Sequence, residues 1–203
     1  MVLVFASLSV YGGTVAIVDN LTDTPAGVDT GLNAAAQAFT TGGTAETLQD
    51  VVLELLGNED EGGAVDVSLF SDSSGLPGSS LLSLGELTPT GSGYADYTAT
   101  GTYALAADST YWVVVDYLGS PSWGFTASAA YTGTGTLGSF TNSSNGGTTW
   151  LGPYSPTEVD FEPYLLEVDA ATTATPEPSG LVLMLMGIGA MVLIKRSSAS
   201  GAR

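Results

Sequence analysis

Along most of the chain, apolar side chains come in short runs broken by Gly, Ser, Asn, Asp and Pro, and no stretch keeps a helical period for long. Val65, Val67 and Leu69 alternate with Asp66 and Ser68, the period-two pattern of a strand with one buried face. The run from Tyr111 to Tyr117 is apolar on nearly both faces, which predicts a central strand covered on two sides. Leu48 to Leu56 reads as a further strand. With Val65 to Phe70 it flanks the loop from Gly57 to Gly63, an arrangement that predicts a hairpin. Ser144-Asn145-Gly146-Gly147, between Phe140 and Trp150, carries the Asn-Gly pair of a tight turn. The pattern predicts an all-β fold, an antiparallel, jelly-roll-like β-sandwich over residues 17–169, followed by a linker and one short C-terminal membrane helix.

The two ends break this pattern. Gly180 to Ile194 is a run of fifteen uncharged, mostly apolar residues that stops at Lys195-Arg196. As a helix it would span roughly 22 Å, short of the ~30 Å hydrocarbon core but able to cross with local thinning and snorkelling of the two basic residues. It is apolar all round. A helix packed on one side of a domain would expose half of that surface, which favours a membrane helix over a buried C-terminal helix. Basic residues flanking a membrane segment stay cytoplasmic, so the acidic body is expected outside and residues 195–203 inside. At the other end, Val2 to Val10 has the apolar character of a signal-peptide core, and Thr14-Val15-Ala16 offers a small-residue cleavage site that would close a leader at residues 1–16. No basic n-region precedes it, so either the signal is weak or the true start lies upstream. A buried first strand is the competing reading of the same residues.

Composition narrows the chemistry. The chain has 21 acidic and three basic side chains, for a net charge of −18. The basic residues are Lys195, Arg196 and Arg203, so Met1 to Ile194 carries no side-chain cation. Nucleic acid is thereby excluded as a partner of the body, because phosphate binding requires Lys or Arg to displace condensed counterions. There is neither Cys nor His. That removes Ser-His and Cys-His nucleophiles, thiolate and imidazole metal sites and the near-neutral imidazole acid or base, and leaves only carboxylate chemistry. The expectation is a non-catalytic protein.

Pro176-Glu177-Pro178-Ser179, the apolar run and Lys195-Arg196 together resemble the PEP-CTERM sorting tail of Gram-negative bacteria that make extracellular polysaccharide. The resemblance covers about the last 28 residues and contains every part of that tripartite pattern in order. It implies recognition of Pro176, Glu177 and Pro178 by an exosortase, an integral-membrane protease or transpeptidase, with Lys195 and Arg196 completing the signal. The precursor would be anchored in the inner membrane by the helix at 180–194 and then passed to the cell surface or the extracellular matrix. The two prolines keep the segment extended where a protease must read it, and residues 170–179 form the linker that presents it. Gln37-Ala38-Phe39-Thr40-Thr41, Val67 to Gly78, and Tyr111 to Val115 with Trp123 after it are similar to the choice-of-anchor R family of bacterial surface domains. That resemblance implies a displayed β-domain with no assigned activity.

Three groups of residues carry candidate chemistry. Glu59-Asp60-Glu61, in a Gly-rich loop, supplies the hard oxygen ligands that suit Ca2+, although a solvated loop explains the same residues. Glu158, Asp160 and Glu162 alternate, so in a strand they share one face with neighbours roughly 6.6 Å apart, a spacing open to a solvated face, a calcium site or a glycosidase-like carboxylate pair. Among Trp112, Trp123 and Trp150, the candidates for stacking on sugar rings are Trp123 and Trp150, with core packing as the alternative. The leading expectation is an exported structural or matrix-interaction protein. The alternative is a carbohydrate-binding module for extracellular polysaccharide, and exposure of Trp123 or Trp150 would favour it.

Overall fold

A computed structural model describes residues 13–28, 32–57, 63–91, 93–119, 121–154 and 162–172. Twelve strands succeed one another among them: β1 (Thr14–Asp19), β2 (Gly27–Val28), β3 (Ala34–Thr40), β4 (Glu46–Gly57), β5 (Val65–Asp72), β6 (Pro77–Leu87), β7 (Gly93–Leu105), β8 (Thr110–Tyr117), β9 (Ser122–Phe125), β10 (Thr136–Ser143), β11 (Leu151–Tyr154) and β12 (Leu166–Thr172). The described residues contain no helix, and every strand pair is antiparallel. The all-β expectation holds. The first sheet has the order β1-β12-β4-β9-β2, with β7 on the other edge of β4, and the second has the order β11-β10-β3-β8-β5-β6.

One core joins the two sheets. Leu48, Val51, Leu53 and Leu55 of β4 point into the same buried cluster as Val65, Val67 and Leu69 of β5 and Val113 and Val115 of β8. Strand β8 is central, between β3 and β5. Its alternate residues Trp112 and Val114 enter a second, smaller cluster with Ala36 and Ala38 on the opposite face of the sheet, which is why the Tyr111–Tyr117 run is apolar on both sides.

Two expectations change. Strands β4 and β5 do not form a hairpin: β4 pairs with β12, β7 and β9 in the first sheet, whereas β5 pairs with β6 and β8 in the second. The connection between them crosses from one sheet to the other. The limits of the β-domain also move outward. Thr14-Val15-Ala16 belongs to β1 and pairs with Ala171, Ala170 and Asp169, while Ala170 to Thr172 extends β12 rather than opening the linker. A cut after Ala16 would remove half of a strand whose Ile17 and Val18 are fully buried.

The chain enters β12 through a buried segment whose peptide groups are met largely by side chains. Gln37, on the inward face of β3 and fully buried, accepts from the Tyr164 N–H through Oε1 (3.1 Å). Its Nε2 donates to the Gly138 and Ser139 carbonyls (2.8 and 3.1 Å), at the irregularity in the β10–β3 ladder. Asn20, 1% exposed, donates through Nδ2 to the Tyr164 carbonyl (3.1 Å) and accepts from the Leu166 N–H (2.8 Å). The Trp123 indole N–H donates to the Leu165 carbonyl (2.7 Å), and the Leu165 N–H donates to the Gly124 carbonyl. Removing such a partner leaves buried groups unpaired at about 1–3 kcal/mol each. Gln37→Leu, which keeps the bulk and removes the amide, should therefore cost roughly 2–4 kcal/mol in urea unfolding. Gln49→Leu, where the amide reaches only the Thr47 and Leu48 carbonyls beside it, should stay within about 0.5 kcal/mol of the parent. Equal effects of the two changes would refute the role given to Gln37.

Candidate functional site

Of the two tryptophans expected to stack on sugars, Trp123 is overturned. It is 0% exposed, stacks on Tyr164 at a centroid distance of 4.6 Å, and spends its indole N–H on Leu165. No face remains for a ligand. Trp150 is half-buried and lies on the outer face of the second sheet against the cluster of Ala36, Ala38, Trp112 and Val114. Trp112 itself is buried there, its indole N–H donating to Asp72 Oδ1 (2.9 Å). The β10–β11 loop that delivers Trp150 is organised by Ser143, whose Oγ donates to Asn145 Oδ1 (2.7 Å) and accepts from the Asn145 and Gly147 N–H groups. Gly147, at φ +72°, sits against the indole so closely that a Cβ there would meet the ring at 3.1 Å. The turn anticipated at Asn145-Gly146 is present, as part of this loop. Trp150 thus keeps partial exposure but is held as a cover over a small apolar cluster.

The other expected sites are mostly beyond reach. Glu59, Asp60 and Glu61, Glu158 and Asp160, and the tail residues Pro176, Glu177, Pro178, Lys195 and Arg196 lie outside the described residues. Glu162 is described and exposed. Among the described residues no three carboxylates are grouped so that they could hold a metal ion.

What sequence reading missed is an acidic face on the first sheet. Ladder register sets Asp19 opposite Glu167, Asp169 opposite Asp50, and Glu54 opposite Asp96, so three like-charged pairs run across β1, β12, β4 and β7. Like charges placed directly opposite repel. Burial, and then the carboxylates of Asp169, Asp19, Asp50 and Asp96, push Glu167 above the ordinary glutamate range. Asp169 is raised by burial and by Asp50 and Asp19, and Glu54 by burial and by Asp96. On the second sheet Asp116, opposite Asp66, is raised by burial and by that neighbour. Glu46 is 4% exposed with Oε2 unpartnered, and burial raises it too. The signal existed in the sequence as Asp50 and Glu54 on one strand and Glu167 and Asp169 on another, but only the register brings them together.

Comparison of the chain with known protein families, characterised proteins and solved structures finds no match. The arrangement offers a carboxylate-rich, cation-free surface and one covered aromatic patch, with no assembled nucleophile, base and oxyanion donor among the described residues.

The raised carboxylates have a consequence for pH. A carboxyl group whose folded pKa lies above its unfolded value binds more protons in the native state, so unfolding free energy falls as pH rises. The stabilisation is fully present below the unfolded values, near 3.8 for Asp169 and 4.5 for Glu167, and is lost as pH rises through the higher folded ones. No Lys or Arg lies in the body to reward ionisation. The melting temperature should therefore rise as pH is lowered from neutrality toward about 5, the reverse of ordinary acid denaturation. A melting temperature that is flat or falls over that interval would contradict the repulsion between these pairs.

Proposed function

We propose that this chain is the precursor of an exported, non-catalytic cell-surface or extracellular-matrix protein, delivered by a PEP-CTERM tail and processed by an exosortase-type membrane enzyme. Its body is read as a jelly-roll-like β-sandwich of the choice-of-anchor type, and residues 180–194 as a short membrane helix. The observation that carries this is the order of parts after the body: Pro176-Glu177-Pro178, the apolar run from Gly180 to Ile194, and the only basic pair in the chain, Lys195-Arg196. The compact unit ends at Thr173, ahead of Pro176. A body without cations suits display outside a membrane, since it has nothing to hold it against anionic headgroups. With Trp123 enclosed in the core, the polysaccharide-binding alternative rests on Trp150 alone.

Pro176→Ala combined with Pro178→Ala should leave the precursor inserted and uncut, because the recognition segment would then be free to become helical. Lys195→Glu with Arg196→Glu should impair retention and processing by removing the charge asymmetry that stops transfer. Intact masses of the protein recovered from membranes and from medium report both. Normal cleavage in the proline variant would remove the case for the motif.

A further inference from the structure

Glu46 is the one buried carboxylic acid among the described residues, at 4% exposed. It opens β4 in phase with Leu48, so it points inward. Its ladder partners are Leu105 of β7, a core residue, and Thr172, which ends β12. Gln37, Asn20 and Thr41, buried polar side chains of the same interior, all make hydrogen bonds. Glu46 Oε2 is buried and makes none. A carboxylate without partner or water is strongly disfavoured in such a place, whereas the neutral acid is tolerated. Nothing in the body can neutralise it, because Met1 to Ile194 holds no side-chain cation.

The ionisable groups on the surrounding elements do not change this. On the inner side they are Tyr103 of β7 and Tyr111 of β8, which pack edge to face at 6.4 Å. Asp50 and Glu54 of its own strand, Glu167 and Asp169 of β12, Asp96 of β7 and Asp19 of β1 stand on the outer face of the first sheet. Asp108 sits in the turn between β7 and β8. Burial is what raises Glu46 above the ordinary glutamate range, with no contribution from any of these carboxylates.

We infer that Glu46 is a pH-operated latch on the end of β12: with its carboxyl protonated the last pairs of β12 with β4 are closed, and its ionisation opens them and releases residues 170–172. To reach water a charged Glu46 has to turn outward, and the start of β4 must leave its place between Leu105 and Thr172 to allow it. Opening disturbs least at this end, where β1 and β4 begin and β7 and β12 stop. The sign follows from linkage. The closed form binds the proton more tightly, so closure is fully favoured below 4.5 and loses that advantage as pH rises through the raised folded value. The use of the latch, to present Pro176-Glu177-Pro178 on more free chain when the surroundings are not acidic, rests on the tail reading proposed above; the latch itself does not.

Amide hydrogen exchange on the full chain in detergent micelles tests it, each rate being divided by its intrinsic value at the same pH. Between about pH 5 and about pH 7.5, protection over residues 170–172 should fall about tenfold more than over residues 113–115 at the centre of the second sheet. The latter also report that the fold is intact. Glu46→Gln keeps the shape, cannot ionise, and should remove the difference. Asp169→Asn, on the outer face of β12, should leave it, which separates the latch from repulsion on the acidic face. Equal loss at the two places in the parent, a difference that survives Glu46→Gln, or one that Asp169→Asn removes would overturn the inference. Exchange is read on uncut chain, so failure of the tail reading would show in the intact masses and leave this result untouched.

Discussion

Between Pro163 and Leu166 the chain runs through the interior just before it joins the first sheet, and its peptide groups must be satisfied there without solvent. Gln37 answers this from the second sheet and Asn20 and Trp123 from the first, so that one buried segment is tied to both layers. Apolar packing alone would allow the sheets to slide over one another. An amide that accepts from Tyr164 while donating to the β10 irregularity fixes their relation, because any slip leaves several buried groups unpaired at once. Trp123 is enclosed for the same reason: its ring fills the space beside Tyr164 and its N–H is committed to the segment. The residue that looked like a ligand platform is part of the device that sets the two sheets in register.

A second constraint acts on the surface. With no cation in the body, no carboxylate there can be paired with Lys or Arg of the body, and the fold gathers Asp19, Asp50, Glu54, Asp96, Glu167 and Asp169 on the first sheet, where burial and repulsion keep Glu54, Glu167 and Asp169 easier to protonate than usual. Solubility follows from this charge, and so does a stability that falls toward neutral pH.

The strands were legible where side chains alternate strongly. Strand β5 shows its buried face in Val65, Val67 and Leu69, and β8 shows two buried faces in an unbroken apolar run. Strand β7 was not legible, since its inward residues Tyr97, Ala99, Gly101, Tyr103 and Leu105 are too mixed in size to announce a face. The β4–β5 hairpin failed because a loop between two strands looks alike whether it closes a ladder or carries the chain to the opposite sheet, and only the partners of β4, all remote in sequence, decide. Gln37 could not be read as a core residue from its type. Its burial depends on an irregularity in β10 about a hundred residues away. The acidic face was hidden likewise, each pair being made by register rather than by neighbours in sequence.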